Sequence, residues 1–379
     1  MVFALYTIAL LAGVMFLHPY ISYPLSLRLM RARPVGMRAS GDAPLPSATL
    51  LFSAYNEERT LPAKLANLEA IRALHPDLEI LAYSDMSTDG TLSLLESRPE
   101  LLRVIPTSER TGKAMGMRRM VAQAKGEICI FTDANVLLEP ESVARLLGYF
   151  HDTAIGGVSG TLHYINDADG TTASVGGLYW RLEERIKALE SRCGSMMGAD
   201  GAIFATRRAL YPEVPPHLLD DMIASMSVLF DGKRLVSARD VIAYERNTTD
   251  ASDEFRRKRR IACRSYASYR HLAPLMRRHF PLIDRYKFAS HKSLRWFGAP
   301  LAMLSGAALS TALWLDGRLS LLALLWGGAV LVLLGAAFKV RPCAMLVGIA
   351  VAIWATFLGI IDALRGKTYQ TWSPAKSRD

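Results

Sequence analysis

Cysteine is sparse and scattered. Cys129, Cys193, Cys263 and Cys343 are the whole complement, and none sits in a Cys-x-x-Cys pair. A zinc site or a disulfide framework is therefore not expected, and a reducing compartment is. Charge is missing altogether from residues 2–17, and the apolar run continues through His18 and Pro19 to Leu27. That run has neither a basic start nor a small-x-small cleavage site, so it reads as a retained membrane anchor rather than a removed signal peptide. Acid is in deficit as well. Lys and Arg number 45 against 35 Asp and Glu, a net charge of +10.

What is present is apolar: 51% of 379 residues are hydrophobic. This is too much for an ordinary soluble protein of that length, while the charge excludes a chain that is membrane throughout. Residues 296–315, 319–338 and 343–362 are runs long enough to span a bilayer, separated by Asp316-Gly317-Arg318 and by Lys339, Arg341 and Pro342. Arg28, Arg31, Arg33 and Arg38 follow the N-terminal anchor, so the positive-inside rule makes the next domain cytoplasmic. Three further spans would leave Arg365, Lys367, Lys376 and Arg378 outside, against that rule. A re-entrant or interfacial run among the three is the alternative, and topology at this end stays open.

Between the membrane runs, strand and helix alternate. Pro34, Gly36, Gly41, Pro44 and Pro46 suit a linker. Strands are expected at 47–53, 78–83, 102–105 and 128–132. A helix at 59–73 carries Leu61, Leu65, Leu68 and Ile71 at helical spacing, and another carries Lys113. The expectation is an α/β fold: a doubly wound, mostly parallel sheet with helices on both faces, joined to transmembrane helices.

The stretch Glu127–Asn135 is the most informative. Ile128-Cys-Ile-Phe131 reads as a strand buried on both faces, and Asp133 and Asn135 follow where it ends. Ligands of open α/β sheets bind outside the carboxyl ends of the strands. Two oxygen ligands there suit a hard divalent cation holding a diphosphate, and the alternative is a turn cap. Tyr55, Asn56 and Glu57 end the first strand and Asp85 ends the second. An aromatic ring with nearby carboxylates suits a base and ribose. Thr88 or Asp89 serves as a helix cap. Lys113, after Gly112, either adds positive charge near a diphosphate or is an exposed lysine at a helix start.

These residues resemble a family. Ser53-Ala-Tyr-Asn-Glu-Glu58, Asp85-Met-Ser-Thr-Asp-Gly-Thr91 and Thr132-Asp-Ala-Asn135 are similar to successive signatures of family 2 glycosyltransferases of the GT-A type. Gly198-Ala199-Asp200 opens a segment, to Arg208, that resembles the acceptor side, and Leu219-Asp220-Asp221 resembles the acidic pair supplying the catalytic base. His291–Trp296 is similar to the approach to the membrane in polysaccharide-synthase-like members (cellulose synthase and poly-N-acetylglucosamine synthase). Trp372-Ser-Pro374 resembles their tail.

The resemblance implies a GT-A nucleotide-sugar-binding domain at 47–250. Around it lie an anchor (1–27), a linker (28–46), basic amphipathic helices (251–295), membrane segments (296–363) and a tail (364–379). It implies inverting transfer from a nucleotide sugar, expected to be a UDP-sugar, to a lipid-linked or glycan acceptor in cell-surface polysaccharide synthesis. The enzyme would be multi-pass in the inner (plasma) membrane. Tyr55, Glu57 and Asp85, with Asn56 beside them, would hold the nucleoside, and Asp133 would bind Mg²⁺ or Mn²⁺. Asp221 would be the base and Asp220 the runner-up; the alternative for both is a helix N-cap before Met222–Phe230.

Two departures qualify this. Asn135 stands where the second acid of the metal motif is usual, so cation binding is expected to be weaker rather than absent. Processive members carry Gln-x-x-Arg-Trp, and the corresponding stretch here is Arg257-Lys-Arg-Arg260-Ile261. Arg is kept, while Gln and Trp are lost. A single transfer is favoured over a processive synthase that translocates its polymer. A catalytically silent scaffold is disfavoured by the intact Asp85, Asp133 and Asp221.

Residues 256–295 hold 13 Lys and Arg against Asp284 alone, interleaved with Tyr266, Tyr269, Phe280, Tyr286 and Phe288. Immediately before a membrane run, this pattern fits helices on an anionic bilayer rather than nucleic-acid binding. Arg260 is also a candidate for reaching the donor diphosphate.

Overall fold

The apolar runs of residues 48–133 become one half of an eight-stranded sheet. The computed structural model describes residues 1–35, 44–166 and 169–371. Residues 36–43 of the expected linker (including Gly36, Arg38 and Gly41), Lys376, Arg378 and the Trp372-Ser-Pro374 tail lie outside the described residues. The strands are β1 (Ala48–Ala54), β2 (Glu79–Ser84), β3 (Arg103–Pro106), β4 (Ile128–Asp133), β5 (Leu137–Leu138), β6 (Ile155–Tyr164), β7 (Ile203–Arg207) and β8 (Arg234–Glu245). Their order is β3-β2-β1-β4-β7-β6-β8-β5.

The first four strands are mutually parallel, as expected of apolar runs buried on both faces. Leu50, Leu51 and Phe52 of β1 are fully buried, each stabilising the fold by about 1.5–3 kcal/mol. The other half is mixed. β7 runs antiparallel to β4 and to β6, β8 is parallel to β6, and β5 is antiparallel to β8. "Mostly parallel" therefore holds for the donor-side half only. The reversal matters for the site: because β7 opposes β4, Ile203 lies beside Thr132. The loop leading into β7 thus arrives at the same sheet edge as Asp133. Tyr164 and Glu245, paired at the ends of β6 and β8, reach that edge too.

The helices are α1 (Val2–Leu17), α2 (Ser22–Leu29), α3 (Leu61–Leu74), α4 (Thr91–Glu96), α5 (Lys113–Gln123), α6 (Ser142–Gly148), α7 (Thr171–Arg192), α8 (Asp220–Phe230), α9 (Ala251–His279), α10 (Leu282–Phe288), α11 (Leu294–Trp296), α12 (Gly298–Leu315), α13 (Leu319–Ala337) and α14 (Arg341–Leu364). A π-wound stretch, Ala289–Ser293, joins α10 to α11. The basic stretch is largely one helix, α9, started by Asp250, whose carboxylate accepts from Ser252 N and Asp253 N at 2.9 Å each.

Helices α12, α13 and α14 are long and apolar enough to cross a membrane, and α1 and α2 together qualify as one span bent by 64°. α12 runs antiparallel to α1, with Ser305 Oγ donating to Ala9 O (2.8 Å) and Tyr6 OH to Asp316 Oδ2 (3.1 Å). α13 has no buried residue. α14 differs from both, because it packs against α7 and α9. A Cβ on Gly348 would meet Val175 of α7 at 3.3 Å, and one on Gly359 would collide with the Arg259 carbonyl of α9. Only glycine allows that approach. Arg259 then grips Asp362 through Nε and Nη2 at 2.7 and 2.8 Å. Beyond α14, Gln370 Nε2 donates to Thr111 O at 3.3 Å. Both ends of the 298–364 segment consequently adjoin the domain built on the sheet.

Candidate active site

The parallel register brings Ser53, Tyr83 and Asp133 level at one edge, with Ser84 one residue further on. There the chain opens a cavity of about 1540 Å³ lined by Glu57, Lys113, Asp133, Asn135, Gly198, Ala199, Asp200, Asp220, Asp221 and Arg260. Sequence reasoning named each of these, and the fold gathers them in one cleft.

At its centre, Lys113 Nζ lies 2.5 Å from Asp133 Oδ1. The lysine side chain is 17% exposed, so the reading of an exposed helix-start lysine is excluded. Burial opposes its charge, but Asp133, Asp220 and Asp221 outweigh burial and hold it protonated well above its ordinary range. Gly201 marks where these groups converge: a Cβ there would lie 2.8 Å from Lys113 Nζ, 3.5 Å from Asp221 Oδ2 and 3.9 Å from Asp133 Oδ2. A side chain would fill the space between the Asp221 carboxylate and the ammonium.

Asp220 and Asp221 occupy the first turn of α8, and the N-cap is Leu219. Neither is the N-cap; their charge benefits instead from the positive helix end. Asp221 Oδ1 accepts from Met222 N at 2.6 Å. Burial and then the neighbouring Asp220 carboxylate push Asp221 up to about 7, with Lys113 pulling it down. Asp220 is 3% exposed and its Oδ2 has no protein partner. Arg264 of α9, also buried, donates through Nη2 to the Leu218 carbonyl and so braces the loop that presents the pair.

The residues expected to hold a nucleoside divide by what they touch. The Arg110 guanidinium lies 3.3 Å from the centroid of the Tyr55 ring. Asn56, at φ +52°, clips two loops together, its Oδ1 accepting from Thr88 N at 2.8 Å. Glu57 Oε2 accepts from Thr60 Oγ1 at 2.7 Å. Asp85 is fully buried and its oxygens accept from Thr111 N (2.8 Å) and Gly112 N (3.0 Å). It shapes the turn that starts α5 and thereby aims Lys113. Asp89 accepts from Thr91 N at 3.0 Å, but the N-cap of α4 is Gly90, so neither Thr88 nor Asp89 is the expected cap. Of the residues expected on the acceptor side, Gly198 has φ +110°, and Asp200 pairs with Lys187 at 2.7 Å.

Among the described residues, no three His, Cys, Asp or Glu side chains are grouped to hold a metal ion. Asn135 donates its amide to Glu245 Oε1 at 3.1 Å. The donor set therefore fits a hard cation completed by phosphate oxygens, with Asp133 as its one carboxylate, and not an all-protein cage.

Sequence reasoning missed Gly201, Arg264, Glu245 and Lys64. Lys64 is fully buried in α3, where Nζ donates to Val136 O at 2.6 Å and holds the turn after Asp133. Burial pushes it down to about 7, against the pull of Asp133. Its place on the apolar face of α3, one residue before Leu65, is the only signal the sequence offers.

The glycosyl transferase family 2 model matches residues 49–214, the span from β1 to the loop before α8. This region is a family 2 glycosyltransferase domain. The chain is 32% identical over 100 residues to an uncharacterized glycosyltransferase of Bacillus subtilis, covering 26% of this chain and 25% of that one. It is 28% identical over 109 residues to an undecaprenyl-phosphate 4-deoxy-4-formamido-L-arabinose transferase of Pseudomonas fluorescens (27% and 32% covered). It is 27% identical over 119 residues to a poly-beta-1,6-N-acetyl-D-glucosamine synthase of Staphylococcus aureus (31% and 28%). The chain thus spans 25% to 32% of the length of these relatives. In fold it is similar to a mannosyltransferase of Pyrobaculum calidifontis, solved with GDP-Man and Mn²⁺. The TM-score is 0.74 at 21% identity, covering 96% of this chain and 99% of that one. The two chains share a fold over nearly their whole length.

Proposed function

We propose that this glycosyltransferase makes a single inverting transfer from a nucleotide sugar to a lipid-linked or glycan acceptor at the cytoplasmic face of a membrane. The observation that carries the reading is the convergence of Asp221, Lys113 and Asp133 around Gly201. A base whose proton affinity is tuned to about 7 can take a hydroxyl proton at neutral pH. Asp221 would deprotonate the acceptor hydroxyl for in-line attack. Lys113 offers fixed positive charge where the diphosphate leaves. Asp133 would hold Mg²⁺ or Mn²⁺, which when bound neutralises charge building on the leaving diphosphate. A UDP-sugar remains the proposed donor; the archaeal neighbour was solved with GDP-Man, so guanosine donors belong in any screen.

The altered Gln-x-x-Arg-Trp segment supports single transfer. Arg257, in the Gln position, is spent on Glu254 (2.8 Å), and Ile261 lines the cavity without a ring to stack on a sugar. Product length tests this: a ladder of long polymer would favour the processive alternative.

Topology follows from the two ends of the 298–364 segment. If both adjoin the catalytic domain, the segment crosses the bilayer an even number of times. α12 and α13 would then form the membrane hairpin, and α14, held against α7 and α9, would be the interfacial or re-entrant run. That keeps Arg365 and Lys367 on the cytoplasmic side, as the positive-inside rule requires. Labelling of single cysteines at positions 317 and 367 from opposite faces is the expected result.

The deciding experiment is on purified protein in detergent. Nucleoside diphosphate release should require Mg²⁺ or Mn²⁺, and Asp221→Asn should abolish transfer while donor binding persists. Transfer retained by that variant would remove Asp221 from the mechanism.

A further inference from the structure

No step of the proposed transfer uses His291, although it opens the segment that approaches the membrane. It lies in the π-wound stretch between α10 and α11 and is fully buried. Such winding is frequent at functional sites. Its Nδ1 stands 2.8 Å from Glu190 Oε1, and its Nε2 stands 3.0 Å from both oxygens of Glu183. Glu183 and Glu190 are seven residues apart on α7, so they share a face of that helix, with the ring between them.

A neutral imidazole has one donor and one acceptor, so between two carboxylates one nitrogen would turn its lone pair on an oxygen. Both carboxylates are ionised. Burial opposes the charge of Glu183, but His291, Lys292 and Arg295 outweigh burial and hold it well below the usual range. Burial opposes Glu190 as well, and His291, Tyr23 OH and Met197 N together hold it low. The ring therefore carries both N–H groups and a positive charge. Lys292 (3.1 Å) and Arg295 (2.5 Å) both bind Glu183, and Lys287 is engaged by Asp284 (3.6 Å) and the Ser195 carbonyl (3.1 Å). Among the described residues, His291 is thus the one cation hydrogen-bonded to Glu190. Without it Glu190 would be a buried charge held by neutral donors alone, which is costly.

Glu190 in turn holds part of the cleft. Its Oε1 accepts from Tyr23 OH (2.5 Å), on α2 just past the bend from α1, and its Oε2 accepts from Met197 N (2.9 Å). Residues 197–201 line the cavity, ending at the glycine between Asp221 and Lys113. Gly198 follows at φ +110°, where backbone freedom is greatest, so the Met197 N–H fixes where this wall starts.

We propose that His291 is a positioning residue: as an imidazolium it fixes Glu190, and through Glu190 it ties the membrane approach and the bent N-terminal anchor to the 197–201 wall of the cleft. What that wall serves rests on the glycosyltransferase reading. Order in the cleft is thereby linked to the seating of these membrane-proximal elements.

The test uses the full chain in neutral detergent. In spectra of ¹⁵N-histidine-labelled protein at neutral pH, His291 should show two protonated ring nitrogens. Its signal is assigned by its loss in His291→Gln or in the double variant His291→Gln with Glu190→Gln. Hydrogen–deuterium exchange across residues 195–201 reads the wall. His291→Gln strips Glu190 of its cation, and exchange there should quicken at least about tenfold, the scale of one hydrogen bond to a charged group, while β1 and β4 stay protected. The double variant removes both charges. An amide at 190 still offers its carbonyl to Met197 N and its NH₂ to Tyr23, so exchange should return towards the native rate. In nucleoside diphosphate release from a panel of UDP- and GDP-sugars, kcat should fall by a similar factor in His291→Gln at unchanged donor KM, and the double variant should recover it. A packing role predicts the reverse order, because two substitutions in one core loosen it more than one. A neutral ring in the native chain, or a double variant no better than the single, overturns the proposal. Should His291→Gln fail to fold, the native spectrum and exchange in the double variant still decide. Absence of release by the native chain would instead sink the glycosyltransferase reading while the exchange result stood, so the two failures are distinguishable.

Discussion

Lys113 Nζ and Asp133 Oδ1 are 2.5 Å apart, although 20 residues separate them along the chain. The ammonium thus balances the carboxylate expected to hold a cation, and it faces Asp221 from the other side of Gly201.

That arrangement fixes the sign of a pH effect. Asp221 works as a base only when deprotonated, so the acid limb of the rate profile should follow its titration near 7. Asp220→Asn removes a like charge and should move the limb down by about one pH unit; Lys113→Gln removes an opposing one and should move it up by a similar amount. The profile of kcat/KM against pH checks both. An unmoved limb in the two variants would mean that another group titrates.

Gly201→Ala separates geometry from stability. The new methyl would press on the mobile end of Lys113 at 2.8 Å and approach Asp221 at 3.5 Å. Unfolding should change little, whereas transfer should fall by about a hundredfold, the scale of an ångström-sized displacement of reacting groups. Thermal unfolding and initial rates on one preparation test this, and an unimpaired rate would show that the space at Gly201 is not used.

Asn135→Asp asks whether metal affinity has been traded away. Asn135 donates to Glu245 at 3.1 Å, so a second carboxylate alone would face its own kind. The single variant should lose about 1 kcal/mol of stability and gain no metal affinity at pH 7. The double variant Asn135→Asp with Glu245→Gln should tighten Mn²⁺ binding in the presence of nucleoside diphosphate. Calorimetry reads the metal; identical affinities for single and double variants would remove Glu245 from the account.

Lys64 predicts a stability effect. Its pKa is about 7 in the folded protein and near the ordinary 10.5 when unfolded, so between those values the unfolded chain binds more protons and stability rises with pH. From pH 7 to 9 the gain should be about 2 kcal/mol. Lys64→Met should abolish that slope relative to the native chain in pH-dependent unfolding, and an unchanged slope would mean that Lys64 stays charged.

The donor-side strands were legible because strands buried on both faces in a parallel sheet must be apolar throughout, and Ile128–Phe131 is such a run. The polar residues after them were legible for the same reason, since Asp85 and Asp133 interrupt apolar runs where strands end. β6 and β8 were not foreseen. They border the mixed half, where neighbours rather than local pattern decide direction, and Gly156, Gly157 and Gly160 in β6 weaken the strand signal. The role of α14 was equally hidden, because hydropathy records how apolar a helix is and not what it packs against.

By itself the sequence determined which groups are available: a carboxylate and an amide after the fourth strand, an acidic pair further on, a basic stretch and four apolar runs. Those are local properties, set by residue type and spacing. Tertiary structure alone decided that β7 runs backwards and brings Gly201 to Asp133. It alone decided that Lys113 is paired rather than exposed, and that His291 is buried between Glu183 and Glu190. Each depends on what distant segments bury against one another, and the energy of a charge depends on the neighbours that replace its water.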